Sequence, residues 1–121
     1  MNAWPLYLNG KWKSTQESLD VLNPFTNKII AKVSLGNEMA LDDAIAAAYL
    51  AFQKTKEMKS FERSRLCERI SDLIQEHLQE FADLIIAESG KPRKFAVAEV
   101  KRAVSTFKIA SEEAQRLGER V

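Results

Sequence analysis

At 121 residues, 45% apolar and 29% charged, the chain has material for one compact domain and too little for two. That apolar share argues against disorder, because enough surface can be buried to offset the chain's entropy. The balance of 18 basic against 17 acidic residues argues against nucleic acid or an anionic membrane as an obligatory partner, since both select a basic excess.

The first third alternates short extended pieces with turn residues. Leu6-Tyr7-Leu8 and Lys11-Trp12-Lys13 flank Asn9-Gly10, a pair that tolerates the positive φ of a two-residue hairpin turn. Leu19 and Val21 alternate with polar neighbours and run into Asn23-Pro24-Phe25-Thr26-Asn27, where a proline without an N–H predicts a turn. Lys28 to Leu35 carries Ile29, Ile30 and Val33, a β-branched run suited to a strand. Two hairpins are expected over residues 1–36, with Gly36 closing the region.

From residue 37 to 121 the period becomes helical. Asn37 is the expected N-cap, and Leu41, Ala44, Ile45, Ala48, Ala51 and Phe52 form an alanine-rich stripe. Ser60 is the expected cap of the next helix, whose stripe is Leu66, Ile70, Leu73, Ile74 and Leu78. Phe81, Leu84 and Ile85 continue the pattern to Ser89-Gly90, with Gly90 suited to a left-handed C′ position. A bend between His77 and Glu80 is left open by the pattern. Pro92 fits the first turn of a last helix, striped by Ala96, Val100, Ala103, Val104, Phe107, Ala110, Ala114 and Leu117 and closed by Gly118. The fold class is α+β: hairpins followed by three or four amphipathic helices.

Reactive groups are few. The single cysteine, Cys67, lies in a helical stretch without a neighbouring base and reads as a packing residue. One thiol makes neither an intrachain disulfide nor a multi-cysteine metal site. His77 is the only histidine and has no partner at ligand spacing. Asp42-Asp43 and Glu112-Glu113 are adjacent, so they diverge around a helix as solvated faces. Four glycines, at 10, 36, 90 and 118, are too scattered for a phosphate cradle. The basic cluster Lys91, Arg93, Lys94, Lys101 and Arg102 is interspersed with acids and reads as a surface or interface. Met1-Asn2-Ala3-Trp4-Pro5 lacks the pattern of a secretory signal, and no apolar run spans a bilayer, so a cytoplasmic setting is expected.

Three ordered stretches resemble the aldehyde dehydrogenase superfamily. They are Leu8-Asn9-Gly10-Lys11-Trp12 with Val21-Leu22-Asn23-Pro24 and Ile29-Ile30-Ala31-Lys32-Val33; then Asp43-Ala44-Ile45 through Ala51-Phe52 with Ser60-Phe61-Glu62-Arg63; then Glu88-Ser89-Gly90-Lys91-Pro92 with Ala98-Glu99-Val100 and Arg102-Ala103. The likeness runs from about Leu6 to Glu119, and its specificity lies in the order and spacing of motifs that are individually weak. It implies the amino-terminal part of a Rossmann-like, α/β cofactor-binding domain. It also implies oxidation of an aldehyde through a cysteine thiohemiacetal, with NAD or NADP as hydride acceptor. The nucleophile, the oxyanion donors, the glutamate base and the cofactor turn would all lie outside these residues, leaving no catalytic residue here. The implied partners are the remainder of the dehydrogenase chain, an aldehyde, and further copies in a dimer or tetramer.

Glu99-Val100 and Arg102, with Thr106-Phe107 and Glu112-Glu113-Ala114, are similar to the lactaldehyde and non-phosphorylating glyceraldehyde-3-phosphate dehydrogenase branch. That likeness implies a substrate-side role for Arg102. The alternative for Arg102 is a helix-surface pair with Glu99 or Glu88. For the chain as a whole, the alternatives are a stand-alone helical interaction module and an anion-binding module using Lys91 to Arg102.

Overall fold

In the computed structural model, which describes residues 3–116, the first hairpin pairs β1 (Leu6–Leu8) with β2 (Lys11–Lys13). Asn9 and Gly10 sit at φ 51° and 73°, the two left-handed residues a tight turn between right-twisted strands requires. Tyr7 and Trp12 are register partners, and their rings meet at 4.9 Å between centroids.

β3 (Ser18–Leu22) and β4 (Ile29–Ser34) form the second antiparallel pair, with a register shift between Val21 and Leu22. Asn23 organises the turn between them. Its Oδ1 accepts from the N–H groups of Phe25 at 3.0 Å and Thr26 at 2.9 Å, the local bonding that suits asparagine to turns. Trp4 extends this sheet by a parallel bridge to Val33, its N–H donating to the Lys32 carbonyl at 2.7 Å.

α1 (Glu38–Thr55) begins where Asn37 Oδ1 accepts from the Ala40 N–H at 2.9 Å, as the sequence predicts. It belongs with the hairpins to a compact unit, Met1–Glu57, yet it buries none of its residues. Leu41, Ile45 and Phe52 of its stripe stay more than half exposed.

The second unit, Met58–Val121, is helical: α2 (Ser60–Glu76), α3 (Leu78–Ser89) and α4 (Arg93–Arg116). The bend left open by the pattern falls at His77, whose φ of −100° and ψ of 20° separate α2 from α3. The turn bonds continue through it, His77 N–H to Leu73 O at 3.1 Å and Phe81 N–H to His77 O at 3.0 Å. Gly90, at φ 68°, ends α3 and donates to Ile86 O at 2.9 Å.

Two helix starts differ from expectation by one residue. Lys59, and not Ser60, is the N-cap of α2: its carbonyl accepts from the Glu62 and Arg63 N–H groups at 3.0 and 3.2 Å, and the Glu62 carboxylate reaches back to accept from the Lys59 N–H at 2.8 Å. Pro92 stands just before α4, its carbonyl accepting from Phe95 and Ala96 N–H at 2.9 and 3.1 Å. Leu117 and Gly118, expected to finish and close α4, lie outside the described residues.

α2 and α4 run antiparallel along a seam of small residues. Ser64 Oγ and Ser111 Oγ lie 3.0 Å apart, and two turns further along α2 the Ser71 hydroxyl donates to Val104 O at 2.9 Å. Gln115 Nε2 donates to Ser64 Oγ at 2.8 Å, so every buried hydroxyl of the seam has a partner. Beside it, Leu78, Ala82, Ala96 and Val100 make the core, with Ile74, Ile85, Ile86 and Val97 packed around them.

Ala82 and Ala96 are both fully inaccessible, so the α3–α4 approach is set by methyl groups. Ala96→Leu is expected to lower the unfolding free energy of the helical unit by about 1–3 kcal/mol through overpacking. Exposed Ala98→Leu should change it by less than about 0.5 kcal/mol. Urea denaturation followed by circular dichroism measures both, and equal effects would contradict the packing described.

Candidate functional site

The sequence-selected basic cluster lies on the turn after α3 and along α4. Gly90 reverses the chain, and the reversal brings Lys91 beside the second turn of α4, where its ammonium pairs with the Glu99 carboxylate. Arg93, at the start of α4, reaches Asp83 on α3 at 2.6 Å. Both pairs tie α4 to what precedes it.

The other three cations are not used in this way. Lys94, Lys101 and Arg102 are exposed, and none makes a side-chain hydrogen bond or ion pair with the described residues. The alternative read from the sequence for Arg102, a helix-surface pair with Glu99 or Glu88, forms no ion pair or hydrogen bond among the described residues. The Arg102 carbonyl accepts from the Thr106 hydroxyl at 2.9 Å. Next to it, Ile74, Phe81, Ile85, Val100 and Ala103 line an apolar hollow with Glu99 at its edge.

The Glu99 carboxyl is held below the usual glutamate range. The hydrogen bond from Lys91 is the main cause and the Lys91 charge the next; partial burial opposes them, and the Arg102 charge adds a further lowering.

The remaining sequence candidates are placed apart. Cys67 is half-buried on α2. His77 is exposed at the α2–α3 joint, its Nδ1 lying 3.1 Å from Glu80 Oε2. Asp43 pairs with Lys13 at 2.8 Å, and Glu113 with Arg116 at 2.8 Å, so each adjacent acid pair splits as expected. Among the described residues, no three metal-ligating side chains converge, and no helix is long and apolar enough to cross a membrane.

Residues 12–121 match the model of the aldehyde dehydrogenase family. The chain belongs to that family. It is 35% identical over 117 residues to 3-sulfolactaldehyde dehydrogenase of Priestia aryabhattai, covering 97% of this chain and 24% of that one. It is 36% identical over 112 residues to the NADP(+) succinate-semialdehyde dehydrogenase of Saccharomyces cerevisiae, covering 92% of this chain and 22% of that one. It also superposes with a TM-score of 0.91, at 34% identity, on aldehyde dehydrogenase 21 of Physcomitrella patens, solved with the reaction product succinate; the match covers 96% of this chain and 24% of that one. The hairpins and four helices are thus the amino-terminal part of the aldehyde dehydrogenase fold. The chain spans about a quarter of the length of the relatives it matches.

The Lys91–Glu99 pair was not legible beforehand, because its partners are eight residues apart across a turn. Its only signal was Gly90, the residue that lets the chain double back. A depressed Glu99 pKa means that the pair adds stability above the pKa of an unfolded glutamate and loses it as pH falls through the lower folded value. A carboxyl-carbon NMR titration should give Glu99 a midpoint below the ordinary glutamate range, and Lys91→Met should raise it. An unchanged midpoint in that variant would remove Lys91 as the cause.

Proposed function

We propose that this segment is the amino-terminal quarter of an NAD- or NADP-dependent dehydrogenase that converts an aldehyde and water to a carboxylic acid. The observation that carries this reading is the family match over residues 12–121 to chains about four times longer. The apolar side chains of α1 support it. A soluble helix that buries nothing while exposing Leu41, Ile45, Tyr49 and Phe52 leaves favourable burial unrealised, at about 25 cal/mol per Å². The remainder of the dehydrogenase chain is the proposed partner for that face.

The described residues do not fit a dinucleotide cradle. Gly36 alone stands between a strand and a helix, and the positions two and five residues on, where a G-x-G-x-x-G turn needs glycine, are Glu38 and Leu41. No step of the reaction is routed through them. On this reading the cysteine nucleophile, the oxyanion donors, the glutamate base and the cofactor turn belong to the rest of the chain. This segment is then inactive alone. The proposed enzyme is cytoplasmic and works as a dimer or tetramer with an aldehyde as substrate.

An aldehyde with a second, anionic group is the proposed substrate. Sulfolactaldehyde and succinate semialdehyde each carry a second, anionic group, as does succinate. Arg102, exposed and with no side-chain ion pair or hydrogen bond among the described residues, is the residue here proposed to meet such a group, since a guanidinium presents a fork of donors to a carboxylate or sulfonate.

Two measurements test this. Isothermal titration of the 121 residues with NAD+ is expected to give no micromolar binding, and a micromolar constant would overturn the proposed inactivity. In the dehydrogenase chain carrying this segment, Arg102→Ala should lower kcat/KM for an anionic aldehyde about 10–100-fold, the loss of a charge-assisted hydrogen bond worth roughly 1.5–3 kcal/mol. A neutral aldehyde of equal length should change by less than about twofold. Equal losses for both would take Arg102 away from the anionic group.

A further inference from the structure

Arg102 has one acidic neighbour within a helical turn. The positions three and four residues before it are Glu99 and Ala98, and those three and four after it are Ser105 and Thr106. Glutamate and arginine at i and i+3 are the ordinary partners of a helix-surface ion pair. Here that pair does not form. The Glu99 carboxylate is instead engaged by Lys91 from the turn after α3. Ser105 and Thr106 bring no negative charge in its place, and their hydroxyls donate to the carbonyls of Lys101 and Arg102 at 3.1 and 2.9 Å.

We infer that Lys91 is a positioning residue that occupies Glu99 and so keeps the Arg102 guanidinium free for an anionic ligand group. The inference rests on the reading of Arg102 as the contact for the substrate's second anionic group. Lys91 is suited to the task by placement. It follows Gly90, whose left-handed conformation ends α3, and it precedes Pro92, which restricts the Lys91 backbone to extended conformations. A side chain anchored in this turn reaches Glu99 without ordering a second loop. Arg102 is close enough for its charge to be felt at the same carboxylate. Removing the lysine would therefore hand Glu99 to the arginine.

A set of variants in the dehydrogenase chain carrying this segment tests the inference, comparing anionic with neutral aldehydes of equal length. Lys91→Met is expected to raise KM for the anionic aldehyde about two- to fivefold, the scale of an exposed ion pair, with kcat and the neutral aldehyde unaffected. Lys91→Arg should behave as the parent. Lys91→Met combined with Glu99→Gln should recover the parent KM, because the competitor for Arg102 is then gone. Such second-site rescue is not expected if Lys91 merely supports the fold, since the double variant lacks the ion pair altogether.

An anionic KM unchanged in Lys91→Met, or one left raised in the double variant, would overturn the inference while Arg102→Ala still lost anionic selectivity. Arg102→Ala with full anionic selectivity would overturn both this inference and the reading on which it rests.

Discussion

Gly90 holds the left-handed turn from which the helical unit is organised. At φ 68° it ends α3, and a side chain there would bring its Cβ against the following carbonyl. Three features follow from the reversal. α4 returns along α3, so that Ala82 and Ala96 meet in the core. It continues antiparallel to α2, which aligns Ser64 with Ser111 and Ser71 with Val104. The turn also presents Lys91 to Glu99. A chain that continued helically through position 90 would have none of these contacts.

The two units differ in how far they satisfy themselves. In the helical unit, short side chains let α2 and α4 approach closely, and each seam hydroxyl finds an acceptor or donor. Hydroxyls there cost little because none is left unpaired. The hairpin unit is satisfied in its backbone and not in its apolar surface. Its turns are closed by Asn23 and by the Asn9-Gly10 pair, while α1 exposes large side chains along its length. The helical unit likewise leaves Leu66, Leu84, Phe95 and Ile109 more than half exposed, and apolar surface open in both units is what a segment of a longer chain would carry.

The cation cluster shows how charge count differs from charge use. Five basic residues stand between positions 91 and 102, and pairing divides them. Lys91 and Arg93 neutralise Glu99 and Asp83 and brace the start of α4. Lys94, Lys101 and Arg102 keep their charge for solvent or a ligand. The assignment is decided by the geometry around one turn, which brings Lys91 and Arg93 to acids that are eight and ten residues away along the chain.

Sequence alone determined what depends on local physics. Asn-Gly requires positive φ wherever it occurs, so the first hairpin was legible from two residues. Asn37 was legible as a cap because its amide oxygen satisfies a donor three residues on, and Gly90 because few other residues adopt its conformation. The apolar periods gave the helices, and the order of weak motifs gave the family. Tertiary structure decided whatever joins distant residues. The cap of α2 fell at Lys59, whose carbonyl takes the first helical N–H groups while Glu62 reaches back to its N–H, and the segment bent at His77 where the period alone was continuous. Glu99, one of the alternative partners read for Arg102, is paired with Lys91 across a turn. Competition between two cations for one carboxylate is a matter of distances in space, which residue order along the chain does not contain.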